Sequence, residues 1–335
     1  MTSYTTKANY PYPEATDPVS AYPATAATFA FYLDNLPNRN AIINGQFDIW
    51  QRGTTFTNPA TGAYTADRWR IAYDGAGGSR VVSQVSASLD FPGGMKPKFA
   101  AQIAITNRGT ATTQTISQRI EGGRTFANEW VTISAYVRTT SGTLSVGVKS
   151  TQSYGTGGSP TSSVNTTLGT FTATTSWQRL RYTTQLNPLS GTFGTNGDDY
   201  VEILFDLGTQ TGTLQIWGVQ VEQNTTATSL ERRPIQQELA LCQRYYFEVT
   251  GQTIVRNHAA YTNWLTPLSF PVQMRKQPTV VGRRSKTGTI NEFDADGGGV
   301  VATIAYGAHT PNEATIYATA TTRNGVLWYS ADAEL

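Results

Sequence analysis

The chain has 335 residues, and its 25 basic and 23 acidic residues leave a formal net charge of +2. Because Lys and Arg form no stripe in this near-neutral chain, a nucleic-acid-binding groove is not expected. Hydrophobic residues make up 39% and aromatic residues 11% of the chain, enough to fill a core, which argues against intrinsic disorder. The single cysteine, Cys242, excludes an intramolecular disulfide framework.

Membrane-spanning and targeting segments are also not predicted. No apolar run approaches the roughly 20 residues that a spanning helix needs. The N-terminal residues lack the apolar stretch of a secretion signal. We therefore expect synthesis in a cytoplasm and no membrane insertion.

Residues 1–23 show no hydrophobic period and contain several prolines. Each proline restricts the residue before it to extended or turn geometry, so the segment is predicted to be an extended arm. Rigid aromatic side chains are common at interfaces, which favours an arm that docks on a partner; the alternative is a disordered tail. The docking tyrosines would be Tyr4, Tyr10, Tyr12 and Tyr22.

A short helix is predicted over residues 24–36, between Pro23 and Pro37. One apolar face recurs at helical spacing and must be covered by the next domain or by copies of itself. A helix of about a dozen residues is marginal alone, so we favour self-association in a three-chain bundle. The face consists of Phe29, Tyr32, Leu33 and Leu36.

From Ile42 the hydrophobic pattern changes to a period of two, which is typical of strands. Many short strands separated by Gly-, Asn-, Ser- and Pro-rich turns favour a sandwich or barrel. The strands predicted in this region are Ile42 to Trp50, Tyr64 to Ile71, Arg80 to Val85, Phe99 to Ile105, Gln114 to Ile120, Trp130 to Arg138, Leu144 to Lys149, Thr170 to Thr174, Trp177 to Thr184, Tyr200 to Leu207 and Leu214 to Glu222.

A second helix is predicted from Glu231 to Phe247, with Ile235, Leu239, Cys242 and Tyr246 on one stripe. The rest of the chain again shows short strand patterns, consistent with a small β-sandwich. Its predicted strands are Glu248 to Val255, Asn263 to Val272, Thr279 to Arg283, Gly288 to Phe293, Val300 to Tyr306, Thr315 to Ala320 and Val326 to Ser330. The fold class is therefore all-β.

Catalytic motifs are not found. The two histidines, His258 and His309, lie in dissimilar contexts, and no nucleophile elbow, zinc-protease motif or phosphate-cradling loop occurs. Cys242 lies on the apolar stripe of its helix and is interpreted as a core thiol. The sequence therefore predicts a protein that is not an enzyme.

The densest group of carboxylates lies around residues 198–206. Asp198 and Asp199 are candidate ligands of a structural calcium ion, which needs six to eight oxygens. Alternation places Glu202 and Asp206 together on one face of a strand. The alternative, which we favour, is a polar turn whose acids face water, so no cofactor is expected.

Sugar binding would need exposed aromatic rings with hydrogen-bonding side chains nearby. The tryptophans at positions 50, 69, 130, 177 and 217 fall within predicted strands, which favours the core. The candidate carbohydrate-binding residues are therefore those predicted in loops: Tyr73, Tyr154, Phe193 and Trp264. Asp67 and Arg68, which flank Trp69, are interpreted as an ion pair or turn anchor.

Several motifs, in this order, resemble the pattern of tail-fibre and minor tail proteins of bacteriophages that carry a carbohydrate-binding-module-like jelly-roll domain. The resemblance covers residues 40–246, and the N-terminal Tyr-Pro-Tyr-Pro run is similar to the start of minor tail proteins of actinobacterial phages. The matching stretches are Ile42-Ile-Asn-Gly-Gln-Phe-Asp-Ile-Trp-Gln-Arg-Gly53, Tyr64-Thr-Ala-Asp-Arg-Trp69, Ile216-Trp-Gly-Val-Gln-Val-Glu222, Leu230-Glu-Arg-Arg-Pro-Ile235 and Glu238-Leu-Ala-Leu-Cys-Gln-Arg-Tyr-Tyr246.

The residue patterns and the resemblance together predict four segments. Residues 1–39 would form a virion-attachment arm and an oligomerisation helix, and residues 40–230 a jelly roll. Residues 231–247 would form a linking helix, and residues 248–335 a C-terminal β-sandwich. The expected protein is a homotrimeric tail fibre or minor tail protein, made in the host cytoplasm and located in the virion.

The expected partners are other virion proteins, through the arm, and a host cell-surface glycan. Two alternatives stay open from the sequence. One is a head fibre or decoration protein of the capsid, built in a similar way. The other is a depolymerase that cuts surface polysaccharide.

Overall fold

The computed structural model of the chain is almost entirely β. A two-stranded ladder pairs β1 (Ser3–Tyr4) with β2 (Pro11–Tyr12), so the backbone of Tyr4 and Tyr12 is extended as predicted. The predicted helix over 24–36, with Phe29, Tyr32, Leu33 and Leu36, and the arm residues Tyr10 and Tyr22 lie outside the described residues. The structure describes residues 3–4, 11–12, 38–87, 91–249, 253–256, 263–283, 292–295, 301–319 and 324–335.

The described residues of the central part of the chain, 38–87 and 91–230, form eleven strands. The alternating patterns from Arg80 to Glu222 are confirmed as strands, with small shifts at their ends and a longer β10. The bounds are β3 Thr55–Thr57, β4 Arg70–Tyr73, β5 Ser79–Ser86, β6 Phe99–Asn107, β7 Gln114–Glu121, β8 Trp130–Thr139, β9 Leu144–Ser153, β10 Val164–Ala173, β11 Gln178–Gln185, β12 Tyr200–Asp206 and β13 Gly212–Glu222.

These strands form two antiparallel sheets that pack as a jelly-roll sandwich. One sheet has the order β10-β9-β12-β7-β4, and the other has the order β11-β8-β13-β6-β5-β3. Inward-facing side chains of both sheets, such as Phe205 and Ile133, are fully buried in one apolar core. Alternation in each strand therefore separates a buried face from an outer face.

The predicted strand from Ile42 to Trp50 is wrong, because this stretch is an irregular segment between the sheets. Asn44 and Phe47 adopt left-handed backbone angles, with φ of 56° and 57°, which no strand accommodates. Hydrogen bonds of the buried Asn44 side-chain amide take the place of the backbone hydrogen bonds between paired strands. The amide donates to the carbonyls of Ile49 and Asp67 and accepts from the Ile49 N–H. The motif is thus architectural and closes one end of the core.

A bulge in strand β13 contacts this irregular segment. Gly218 has a φ of 61° and interrupts the pairing of β13 with β8. The interruption turns Val219 toward Gly45, whose carbonyl accepts the Val219 N–H at 3.0 Å. The Asn40 amide donates to the Val219 carbonyl at 3.1 Å. Both backbone groups of Val219 at the β-bulge are therefore hydrogen-bonded to this segment.

The second predicted strand, Tyr64 to Ile71, is mostly a turn. Arg68 has a φ of 71°, and β4 begins only at Arg70. Asp67 holds the turn by accepting the Gln51 N–H at 3.1 Å and pairing with Arg52 at 3.4 Å. Arg68 pairs with Glu334, so both residues are structural anchors.

Asp67 gives the fold a testable pH dependence. Burial raises its pKa to about 6, because Arg52 and the Gln51 N–H offset only part of the desolvation. Between the ordinary pKa of 3.8 and about 6, the folded chain holds a proton that the unfolded chain releases, so this group's contribution to stability falls as pH rises through that window. We expect the urea midpoint of the wild type to rise relative to that of Asp67→Asn as pH is lowered from about 7.5 to about 5. A pH-independent difference would contradict this assignment.

The linking helix α1 spans Ile235–Gln243 and is shorter than predicted. The predicted stripe is confirmed in part: Cys242 and Tyr246 are buried, but Ile235 is exposed, and the other buried position of the helix is Glu238. Glu238 is buried because it accepts the Asn44 N–H and pairs with Arg233 at 3.2 Å. Burial raises the pKa of the Cys242 thiol, which is a core residue as predicted.

After the helix the chain is again antiparallel β. The final strand, β21, connects this unit by pairing with β14 and β15 along one edge and with β17 and β18 along the other. The bounds are β14 Tyr246–Glu248, β15 Thr253–Arg256, β16 Asn263–Ser269, β17 Thr279–Arg283, β18 Glu292–Ala295, β19 Val301–His309, β20 Glu313–Thr319 and β21 Asn324–Asp332. Within the described residues, no helix is long and apolar enough to cross a membrane.

Candidate functional site

The outer face of the five-stranded sheet carries a row of polar side chains. On β12, Ile203 and Phe205 point into the core, so Tyr200, Glu202 and Asp206 lie on the outer face. The pairing register places matching polar residues of β4, β7, β9 and β10 beside them. This polar sheet face consists of Arg70, Thr115, Ser117, Arg119, Lys149, Thr151, Asn165, Tyr200, Glu202 and Asp206.

Glu202 is the centre of the polar sheet face. Its carboxylate accepts a hydrogen bond from the Ser117 hydroxyl at 2.6 Å and lies 3.4 Å from the Arg70 guanidinium. The second oxygen lies 3.5 Å from Nε of Arg119. The expectation that these acids face water is wrong for Glu202, which is only 5% exposed because cations from β4 and β7 enclose it.

Asp206 is held in a second ion pair on the same face. Lys149 donates to it at 2.6 Å, and the N–H groups of Gln114 and Gly208 donate to its other oxygen. Asp206 is 6% exposed, whereas the Lys149 side chain is 38% exposed. Lys149 therefore offers a cation to solvent from a fixed position.

Tyr200 supplies an aromatic ring at the end of the row. The guanidinium of Arg119 lies 4.1 Å from the ring centroid, which fixes both side chains. Toward the opposite edge, the Thr151 hydroxyl donates to the exposed Asn165 at 2.7 Å. The face thus combines donors, acceptors and a ring in side chains that are already ordered.

Such a surface suits a ligand with many hydroxyl groups. Each hydroxyl both donates and accepts, and the exposed ammonium of Lys149, the exposed amide of Asn165 and the hydroxyl of Thr151 supply both kinds of partner. Because ion pairs hold these side chains in place, little conformational entropy is lost on binding. No single sequence motif marks the face, since its residues come from five strands.

Two of the predicted sugar-binding aromatics are not available for stacking. Tyr154 is buried, at 4% exposed, and packs against Phe193 with ring centroids 4.8 Å apart. The guanidinium of Arg124 lies 3.4 Å from the Phe193 centroid. The three side chains form a stack that anchors the loop before β12, so the prediction of a surface site there is wrong.

The other two predicted aromatics lie in strands. Tyr73 is half-buried in β4, with Arg80 at 3.5 Å from its ring and its hydroxyl donating to the Pro59 carbonyl at 3.1 Å. Trp264 lies in β16, and its side chain is outside the described residues. The loop placement expected for Tyr73 is therefore wrong, whereas Trp264 lies within the strand predicted from Asn263 to Val272.

Trp130 is the exposed tryptophan that sequence reasoning assigned to the core. It is 49% exposed at the start of β8, on the outer face of the six-stranded sheet. The other tryptophans expected in the core are buried: Trp50 and Trp69 lie in the core between the sheets, and Trp177 and Trp217 lie in a separate apolar cluster. Strand alternation places Trp130 outward, but the pattern gave no sign of which face was outer.

Asp198 and Asp199 anchor loops. Asp198 accepts the Thr156 N–H and hydroxyl at 2.7 and 2.5 Å, and Asp199 accepts the Gly123 N–H at 2.7 Å. Burial raises the pKa of Asp198, but the hydrogen bonds from Thr156 outweigh it and lower the pKa below its usual value. The described residues contain no group of three His, Cys, Asp or Glu side chains placed to hold a metal.

Comparison with known proteins gives structural similarity only. No protein-family model matches the chain, and no curated protein matches its sequence. Among solved structures, it is similar to the enzymatically active domain of tailspike protein 4 of bacteriophage CBA120, with 12% identity and a TM-score of 0.36. That match covers 56% of this chain and 22% of the tailspike chain.

Carbohydrate-binding modules are also similar. A family 4 module shares 20% identity over 54% of this chain and 98% of the module, with a TM-score of 0.31. A family 11 module from Clostridium thermocellum, solved with a mixed-linked tetrasaccharide, shares 12% identity over 52% of this chain and 98% of the module, with a TM-score of 0.33.

Proposed function

We propose that this chain is a non-enzymatic structural component of a phage virion, a tail fibre or minor tail protein, that takes part in attachment to host-surface glycans. The observation that carries the glycan-binding role is the polar sheet face. It presents cations that buried carboxylates hold in place, together with an amide, hydroxyls and the ring of Tyr200, on one side of a jelly roll. The virion role is supported by the sequence motifs that resemble phage tail proteins.

Each sugar unit would make few contacts. An oligosaccharide would lie along the face, with Lys149 and Asn165 bonding hydroxyls of some units and the exposed part of Tyr200 contacting the apolar side of another. A surface of this kind binds each glycan weakly. A homotrimer joined near the N-terminus would present three faces, and linked sites can raise avidity by roughly 10² to 10⁴.

The arrangement of the face carboxylates supports binding rather than hydrolysis. A glycosidase needs one carboxyl group to protonate the leaving oxygen and a second to act as base or nucleophile. Glu202 already accepts a hydrogen bond from Ser117 and forms ion pairs with two guanidinium groups, and Asp206 forms an ion pair with Lys149 and accepts hydrogen bonds from two N–H groups. Both carboxylates are therefore committed as acceptors. New reducing ends after incubation with host polysaccharide would contradict this proposal.

We expect Tyr200→Ala to weaken binding to an immobilised bacterial surface polysaccharide. Loss of one aromatic contact of about 1.4 kcal/mol corresponds to a tenfold weaker dissociation constant. Asn165→Ala should weaken binding in the same direction, because it removes an exposed amide without touching the ion pairs. Surface plasmon resonance with the full-length chain measures both effects.

The matched control is Trp130→Ala, which removes an exposed aromatic ring from the opposite sheet. Binding should be unchanged in this variant. Loss of binding in Trp130→Ala with full binding in Tyr200→Ala would place the glycan on the other side of the sandwich and overturn the assignment to the polar sheet face.

The virion role has its own test. Antibody labelling of purified particles, viewed by electron microscopy, should place the chain on the tail. Labelling of the head would replace the tail assignment with a capsid fibre or decoration protein. Absence of the chain from purified particles would contradict a structural role in the virion.

A further inference from the structure

A cavity of about 580 Å³ lies where the loop after Trp50 meets the strands that follow the linking helix. Its volume falls within the roughly 300–1,000 Å³ typical of small-molecule sites. Most of its wall is polar, and none of its residues belongs to the polar sheet face. The lining residues are Arg52, Tyr246, Glu248, Thr279, Val281, Arg283, Ser330 and Asp332.

The floor of this junction cavity is one face of three adjacent strands. In the pairing register, Tyr246 of β14 and Thr279 of β17 both lie opposite Asp332 of β21. Two residues further along, Glu248 and Val281 both lie opposite Ser330. Because side chains on a strand alternate, these two rungs present their side chains on the same face.

The opposite face of the same strands is apolar. Val280, Tyr329 and Ala331, which alternate with the cavity residues, are all buried. Phe247 contacts Tyr329 with ring centroids 6.0 Å apart. The apolar core on that face packs these strands in place. The polar side chains on the cavity face are therefore not needed to hold the strands together.

Arg52 closes the cavity from the jelly roll. Its guanidinium lies 3.6 Å from the ring centroid of Tyr246 and pairs with Asp332 at 3.2 Å and Glu334 at 3.3 Å. The Tyr246 hydroxyl donates to Glu248 at 3.3 Å. These contacts fix the polar groups in place before any ligand arrives.

The chemistry of the wall selects a class of ligand. Two guanidinium groups, Arg52 and Arg283, balance two carboxylates, Glu248 and Asp332, so the formal charge of the wall is zero. A charged ligand would meet like charge on one side, whereas a neutral polyol can donate to the carboxylates and accept from the guanidiniums. We propose that the junction cavity is a second binding site, for a neutral saccharide.

This site does not depend on the polar sheet face, since the two share no residue. Either site can bind when the other is removed, so the two proposals fail separately. The probe is an array of neutral and acidic oligosaccharides from bacterial surfaces, read with the full-length chain. The Tyr200→Ala background weakens the polar sheet face by the expected tenfold, so that the effect of a further substitution in the cavity is measured against a smaller contribution from that face.

In the Tyr200→Ala background, we expect the chain to bind neutral oligosaccharides. Adding Glu248→Gln and Ser330→Ala should then lower the affinity by at least about tenfold. Glu313→Gln, an exposed acid in the same part of the chain, is the matched control and should change nothing. If the double substitution unfolds the chain in a melting experiment, the exposed Thr279→Ala takes its place, with a smaller loss expected.

Two results would overturn the proposal. One is neutral-glycan binding that survives both the double substitution and Thr279→Ala in folded protein. The other is a Tyr200→Ala chain that binds no neutral oligosaccharide on the array, or only acidic ones.

Discussion

Replacing Glu334 by alanine is expected to lower the free energy of unfolding by about 3–5 kcal/mol, the range found when one partner of a buried ion pair is removed. Glu334 pairs with Arg68, whose side chain is 1% exposed and stacks on Tyr245 with 3.4 Å to the ring centroid. Without Glu334 the buried guanidinium loses its anion. Urea unfolding followed by tryptophan fluorescence measures the change.

The control for this variant is Glu121→Ala. Glu121 pairs with Arg244 at 3.1 Å, but both side chains are more than a third exposed. An ion pair in that setting contributes about 0–1 kcal/mol, so the control should stay close to the wild type. Equal losses in the two variants would contradict the view that Arg68 and Glu334 stabilise the chain as a buried pair.

Gly45→Ala is expected to destabilise the chain by about 3 kcal/mol or more, the upper end of the range for overpacking a well-packed site. A Cβ atom at Gly45 would lie 2.3 Å from the carbonyl oxygen of Val219. That oxygen belongs to the backbone of β13 and cannot move aside as a flexible side chain would. The segment from Asn40 to Trp50 would have to leave its place between the sheets.

Gly147→Ala is the matched control. Gly147 lies in β9, and a Cβ atom there would meet its nearest neighbour, the Asp206 carbonyl, at an ordinary 3.5 Å. We expect its urea midpoint to equal or slightly exceed that of the wild type, because alanine fits a strand better than glycine. A Gly45→Ala chain as stable as Gly147→Ala would contradict the close approach to β13.

Strands with clean alternation were predictable from the sequence. The pattern of Ile203, Phe205 and their neighbours places β12 correctly, because the period of two is imposed by burial of one face. The same pattern failed between Ile42 and Trp50. There the apolar side chains are buried at the end of the sandwich, and the left-handed angles of Asn44 and Phe47 depend on hydrogen bonds to distant residues.

The candidate sites could be predicted only in part. Alternation grouped Glu202 with Asp206, but the cations that pair with them come from other strands and cannot be matched without the register. Tyr154 and Phe193 were candidates because they are aromatic residues in predicted loops, yet their rings pack on each other. The junction cavity joins Arg52 to β21, residues that are far apart in the sequence.

The most direct test of the central claim is an experimental structure of the full-length chain bound to an oligosaccharide that it selects on the array. The proposed function predicts a sugar on the polar sheet face, with hydroxyls about 3 Å from the Lys149 ammonium and the Asn165 amide and a ring beside Tyr200. A sugar in the junction cavity would be an additional site. Bound sugar at Trp130 or on another surface, with the polar sheet face empty, would contradict the account.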